Sequence, residues 1–543
     1  MSKNLFTLLC LTLLLSCNKQ NKDVSKGDYY QRNGKVKNVI FVIGDGMGPQ
    51  QLSMLQLFAK HAKKDYFDNR VTNLEKLMAQ GNLASVMTNP GKHLVVDSSC
   101  SATQYSTGEY SLPEVVGLDY NGESSKTILE LAKEKGLRTG LVSDTRLTHA
   151  TPASYAAHNI SRNDENAIAK EMIETGADVM LSGGLRYFIP KNAQEDVELR
   201  NLVPKHISLK SKRVDNLNLL EVASNKNYQL VFDKSSLLKS ERGKLLGLFE
   251  NSSMPDGIWN TTNKDKADRV IPTLSEMAKV ALKNLEGSKE GFFLMIEPGQ
   301  IDWAGHRNDT GLLLHEMLRA DDLFGVLNEW MKGREDTLLV VTADHETGGF
   351  GFSYSGYNVL TPLKVSGEKF NGNDYRANYN YGDFDTLDTL YLQSKSTMEL
   401  MLEVSKWKEE KRTTENLKKF FSSHMKYEFS DEDIAMLMKS SKNQFYRPDH
   451  KNLKLKEVPH IEDFAAFYTY GNIVRSNIFA RVLAHKQSAV WATGSHTSTP
   501  VTMITVGPKS LTSEFGGLLH STQVGRKTIE ALGLKKEYKT KIK

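Results

Sequence analysis

Seven short, nearly continuous apolar runs are spread along this chain, and helix-like segments separate several of them. They occupy residues 38–43, 84–87, 139–143, 178–181, 292–296, 337–341 and 501–506. A run of this length without polar alternation suits a strand covered on both faces, and such strands belong to parallel sheets. Residues 126–135, 165–175, 274–285 and 312–332 carry the spacing of helices. The alternation predicts an α/β fold, a three-layer α/β/α sandwich with a mostly parallel central sheet. In that architecture ligands bind just beyond the carboxyl ends of the strands.

The length of 543 residues allows one large α/β domain with an inserted subdomain, or two or three ordinary domains. From about Phe352 to about His485 the composition turns polar and the alternation stops, before another apolar strand follows. Residues 37–351 are therefore expected to form the core, 352–485 an insertion and 486–543 the C-terminal part of the core. The insertion can act as a crown over the site, a homodimer contact or a substrate-selecting lid, and residues 406–419 in it read as an exposed helix.

At the other end, Lys3 precedes an apolar run over residues 5–15, too short to span a bilayer and shaped like a signal peptide. It closes in Leu14-Leu15-Ser16-Cys17, which resembles a bacterial lipoprotein cleavage box. Residues 1–17 are read as signal and lipobox, and 18–36 as a flexible tether. Lipidated Cys17 would tie an exported protein to a bacterial membrane, in the periplasm or at the cell surface; an ordinary signal peptide is the alternative. With Cys10 removed and Cys17 lipidated, Cys100 alone remains, so no intramolecular disulfide is expected. Seventy basic against 65 acidic residues is too even a balance to indicate a nucleic-acid binder.

Most of the acid and histidine clusters stand where the apolar runs end. The first run leads into Gly44-Asp45-Gly46-Met47-Gly48, which sets Asp45 to bind a cation, although a simple turn explains it equally well alone. Asp97-Ser98-Ser99-Cys100-Ser101 precedes a predicted helix, so Ser98 falls where free N–H groups favour an anion; an N-cap cluster is the commoner reading. His149 and Thr151 can hold a hard cation or its waters, and Arg162 offers a planar fork for two phosphate oxygens. Glu297, Asp302 and His306 lie within ten residues, the last two at i, i+4 on one face of a helical turn, a mixture that suits zinc. Asp344-His345-Glu346 ends another strand, and Gly494-Ser495-His496-Thr497 lies beyond the insertion. Together these clusters can supply more than one metal.

As a set, and in this order, they resemble the alkaline phosphatase family, over roughly residues 37–350 and 486–510, with weaker similarity around 245–259. The resemblance implies two zinc ions and one magnesium ion. Asp302, His306 and His496 would hold the first zinc, Asp344 and His345 the second, with Asp45 bridging to magnesium and Thr151 and Glu297 completing its ligands. It implies Ser98 as the nucleophile, forming a phosphoserine intermediate, with Arg162 and a backbone N–H near Ser99 holding phosphate oxygens. The substrates would be small phosphate monoesters. His149 stands where the enterobacterial form has an aspartate and Trp303 where it has a lysine, as in other bacterial members. His149 is expected to act through a magnesium-bound water, and Trp303 removes a positive charge beside the phosphate. Relatives acting on phosphodiesters, sulfates or phosphonates generally lack the magnesium set, so Thr151 and Glu297 favour monoesters. A surface protein that binds phosphorylated ligands without turnover is the other alternative, disfavoured by the filled ligand positions and Ser98.

Overall fold

The computed structural model of the protein describes residues 36–461, 469–471 and 473–539. The lipobox, Cys17 and nearly all of the expected tether lie outside the described residues.

Ten strands form the central sheet. In chain order they are β1 (Asn38–Gly44), β2 (Asn82–Met87), β3 (Arg138–Arg146), β4 (Val179–Gly183), β5 (Tyr228–Val231), β6 (Lys244–Leu248), β7 (Phe292–Glu297), β8 (Thr337–Ala343), β9 (Val501–Val506) and β10 (Gly517–His520). Across the sheet they run β10-β2-β9-β8-β1-β7-β3-β4-β6-β5. Strand β9 is antiparallel to both its neighbours, β2 and β8, and every other pairing is parallel. β1, β7 and β8, side by side at the centre, are buried along their whole length. Their continuous apolar character follows from having helices on both faces.

The helices that matter for the site are α1 (Pro49–His61), α2 (Ser98–Thr107), α3 (Ala150–Ala156), α4 (Leu274–Leu285), α5 (Gln300–Arg307), α6 (Thr310–Met331), α7 (Thr414–Met425), α8 (Val474–Gln487) and α9 (Ser521–Ala531). Helix α2 packs with α3 and α9, whereas α6 packs with α1 and α4. The two groups cover opposite faces of the sheet, which is the three-layer α/β arrangement expected.

Two local expectations need correction. Strand β2 was expected to be buried on both faces, yet only Val86 in it is fully buried. It lies next to the sheet edge. Residues 406–419 are not one exposed helix: a 3-10 turn at Glu409–Lys411 precedes α7, which starts only where the Thr413 side chain caps it by accepting from Asn416 N. Helix α7 then buries Leu417, Phe421 and Met425. These join Leu400, Val404, Leu437 and, from α8, Phe479 in a small core separate from the main one. Among the described residues no helix is long and apolar enough to cross a membrane, and Cys100 is buried and unpaired.

Candidate active site

The parallel strands at the middle of the sheet end together, and their last residues meet α2, α3 and α5. β1 delivers Asp45, fully buried. The turn that follows needs glycine at position 46: φ is +75°, and a Cβ there would lie 2.6 Å from Asp302 Cα. With no side chain in the way, Gly46 N–H donates to Asp344 Oδ1 at 3.1 Å, tying the end of β1 to that of β8.

Helix α2 begins at Ser98 because Asp97 caps it, accepting from Cys100 N–H. The same Asp97 side chain accepts from Ser99 Oγ at 2.6 Å and, at 2.8 Å, from Arg162 Nη1. Burial opposes the Asp97 charge, but Arg162, Ser99 Oγ and Glu114 N–H outweigh it and hold the carboxyl below its usual range. The Asp-Ser-Ser segment thus forms the N-cap expected of it, and the same aspartate also orients the arginine. Ser98 is 2% exposed, so its hydroxyl forms a floor rather than a surface. Its Oγ lies 3.2 Å from His345 Nε2 and 3.5 Å from Asp45 Oδ1.

On α5, Asp302 and His306 are one turn apart, with Oδ2 and Nε2 separated by 3.2 Å. His496 arrives from the segment before β9, with Nε2 3.2 Å from His306 Nε2 and 3.5 Å from Asp302 Oδ1. The rings of His345 and His496 stack at 3.6 Å. On the other side, His149 Nδ1 is 3.1 Å from Glu297 Oε1 and 3.9 Å from Asp45 Oδ2. Glu297 Oε2 also accepts from Ser143 Oγ and Thr145 Oγ1. Trp303 meets His149 edge-on, with ring centroids 5.9 Å apart. Ser98, Arg162, Asp302, Trp303, His306 and His496 line one cavity of about 800 Å³.

This donor set fits cations. His306 Nδ1 and His496 Nδ1 each face a backbone carbonyl at 2.8 Å, Gly494 O and Val96 O respectively. Those contacts place the ring protons on Nδ1 and leave both Nε2 lone pairs aimed at the same point. Asp45 Oδ2, Asp344 Oδ2 and Thr151 Oγ1 are buried and have no hydrogen-bond partner among the described residues. Burial, together with Asp344, Asp302 and Glu297, pushes the Asp45 carboxyl well above its ordinary range. Burial also raises Asp344, to about 7. Three sets of ligand atoms each lie within 4.8 Å of one another: Asp302, His345 and His496; Asp45, Asp344 and His345; Asp45, His149 and Glu297. His345 belongs to two of these sets, and His149 lies in the third.

A family model described as alkaline phosphatase matches residues 36–534. The chain belongs to the alkaline phosphatase family. It is similar to alkaline phosphatase 3 of Bacillus subtilis, 28% identical over 516 residues that cover 94% of this chain and 90% of that protein. The alkaline phosphatase of Thermus thermophilus has the same fold, with a TM-score of 0.73 and 24% identity over 95% of this chain and 96% of that one. A variant of the TAB5 alkaline phosphatase from an Antarctic bacterium, with Mg bound in its M3 site, aligns at a TM-score of 0.56 and 22% identity, over 93% of this chain and all of that one. Like other alkaline phosphatases, this chain is an enzyme that hydrolyses phosphate monoesters, and its family is metal-dependent.

Some contacts in this alkaline phosphatase were not foreseen. Thr347 Oγ1 donates to Asp302 Oδ1 at 2.5 Å and lies 3.2 Å from His345 Nδ1. Its only sequence signal is its place two residues after His345. Tyr470, from the segment expected to be an insertion, meets the His306 ring edge-on at 4.8 Å. No local pattern marks Tyr470, because the contact exists only through the fold.

Proposed function

We propose that this alkaline phosphatase passes the phosphoryl group of a monoester through Ser98, in a site holding two zinc ions and one magnesium ion. One observation carries the reading: a buried hydroxyl at a helix N-terminus, 3.2 Å from His345 Nε2, lines the same cavity as the Arg162 guanidinium. Asp302, His306 and His496 would hold one zinc, and Asp344 and His345 the other. Asp45 would reach both the second zinc and magnesium, with Thr151 and Glu297 completing the magnesium ligands and His149 acting through a water. The Mg in the TAB5 variant supports the third position. Ions in those positions would supply positive charge for the attacking and departing oxygens of an in-line displacement.

The chain's own groups do the rest. Asp97 fixes Nη1 of Arg162, so Nη2 and Nε remain to receive non-bridging oxygens. The Ser98 and Ser99 N–H groups sit in the first turn of α2, where no intrahelical acceptor exists, and they face the same anion. Ser98 Oγ bonds to phosphorus as the bond to the alcohol oxygen breaks, and the alcohol leaves with a proton. Water then cleaves the Oγ–phosphorus bond, restoring Ser98 and releasing inorganic phosphate. A site this rich in donors for three phosphoryl oxygens favours monoesters over diesters, which offer one fewer. With 4-nitrophenyl phosphate and bis(4-nitrophenyl) phosphate as probes, kcat/KM is expected to favour the monoester by roughly 10²-fold or more; preference for the diester would overturn the assignment.

The same reading takes residues 37–351 and 486–543 as the catalytic core, 352–485 as its insertion, and Cys17 as the lipidated residue of an exported, membrane-anchored protein. Ser16-Cys17 directly after the apolar run over residues 5–15 supports it. The wild-type protein is expected to partition into the detergent phase and Cys17→Ser into the aqueous phase; identical partitioning would refute the anchor.

A further inference from the structure

Arginines in and near this cavity fall into two kinds. Arg146 pairs with Glu165 at 2.8 Å, Arg162 with Asp97 at 2.8 Å and Arg319 with Asp144 at 2.9 Å. Farther off, Arg213 pairs with Asp215 at 2.7 Å and Arg269 with Glu276 at 2.8 Å. Arg186 and Arg307 differ. Both line the cavity that holds Ser98, and neither guanidinium has a carboxylate partner among the described residues. Arg186 only lies over the Tyr187 ring at 5.1 Å, with its Nε buried and unsatisfied.

The acids around Arg307 are already engaged. Asp302 binds His306 and Thr347. Asp309 accepts from Gln393 Nε2, Thr397 N and Leu312 N. Glu316 binds Arg319 and Gly257 N, and Asp256 caps the helix Gly257–Asn263. A guanidinium in a concave wall with no anion of its own is a poor use of a group whose planar fork matches carboxylate or phosphate. Arg307 is also four residues from Trp303 on α5, so the two share a face. Trp303 and Arg307 line the same cavity as Ser98, and Arg186 lines it too.

We propose that Trp303, Arg307 and Arg186 form the subsite for the alcohol half of the substrate, and that it selects monoesters whose alcohol carries a second anion, a carboxylate or another phosphate. This deepens the phosphatase reading and rests on it. Three aryl phosphates test it: 4-ethylphenyl phosphate, 4-(carboxymethyl)phenyl phosphate and 4-(phosphonomethyl)phenyl phosphate, close in leaving-group acidity. In low salt, kcat/KM is expected to favour the two anionic esters by about tenfold, the worth of one bidentate charge-assisted contact, and the preference shrinks as salt rises. Arg307→Gln is expected to bring the ratio near one, mainly through KM, whereas Arg307→Lys keeps part of it. Whichever anionic ester keeps the larger ratio identifies carboxylate or phosphate as the preferred group. Wild-type ratios near one with turnover intact overturn the subsite, as does an Arg307→Gln enzyme that slows all three esters equally. No phosphate release from any ester overturns the phosphatase reading and the subsite with it.

Discussion

A Ser98→Ala enzyme incubated with a ³²P-labelled monoester and quenched in acid is expected to carry no label, while the wild type does. Its kcat/KM should fall by about 10³-fold or more, the scale on which removal of a nucleophile is felt. The residue can be removed without undoing its surroundings. Asp97, not Ser98, caps α2, and alanine is a better helix former than serine at the first helical position. Among the described residues the hydroxyl hydrogen-bonds only His345 Nε2 and Asp45 Oδ1. Thermal unfolding should therefore shift by no more than a few degrees, which separates lost chemistry from lost structure. Label that survives in Ser98→Ala would place the covalent step on another group.

Stripping the metals is expected to abolish phosphate release and to destabilise the fold in a pH-dependent way. Four carboxylates, Asp45, Glu297, Asp302 and Asp344, are packed together with at most 4% exposure. Asp344 is raised from 3.8 to about 7, by burial first and then by neighbouring carboxylates, and Asp45 is raised in the same sense. A carboxyl whose pKa is higher folded than unfolded binds more protons in the fold, so its stabilising share is present below about pH 4 and lost as pH rises through about 7. Asp302 and Glu297 go the other way: burial opposes their charge, but His306 and His149 respectively hold them below their usual range. Their share is lost only in more acid solution, outside that window. The metal-free protein should thus weaken between pH 4 and pH 7. Bound cations need the carboxylates ionised, so their stabilising effect grows over the same interval. Chelation is expected to lower Tm by about 10 °C or more at pH 8 and by much less at pH 5, the gap reflecting several kcal/mol of binding free energy. Equal Tm with and without chelator at pH 8 would rule out a cation cluster here.

The elements legible in the sequence were those whose burial is uniform. β1, β7 and β8 are covered on both faces and read as unbroken apolar runs. β5 and β10 are the outer strands of the sheet, only four residues each, and the half-exposed sequences Tyr228-Gln229-Leu230-Val231 and Gly517-Leu518-Leu519-His520 give no such run. The clusters at Asp45, Asp302, Asp344 and His345 stood out because a parallel sheet places strand ends together, so position along the chain predicts position in space. Thr347, Tyr470 and Arg307 were missed for the complementary reason. Each acquires its meaning from what the topology sets beside it, and an isolated threonine, tyrosine or arginine carries no mark of that. The polar stretch after Phe352 was opaque because its small core joins α7 to α8 across a long interval, with no short repeat to betray it.

The antiparallel strand β9 sits between β2 and β8 and pairs with both, so it closes the sheet between them. His496, which leads into it, is also the last acid or imidazole of the cluster to leave the ribosome. A nascent chain that has extruded its first 343 residues already owns β1, β7 and β8 and the set Asp45, His149 and Glu297, but it has neither a continuous sheet nor the other two ligand sets. Completion of the set formed by Asp302, His345 and His496 therefore waits for a segment that follows all the other ligands in the chain, and without Val501–Val506 the sheet keeps an open seam beside its catalytic floor.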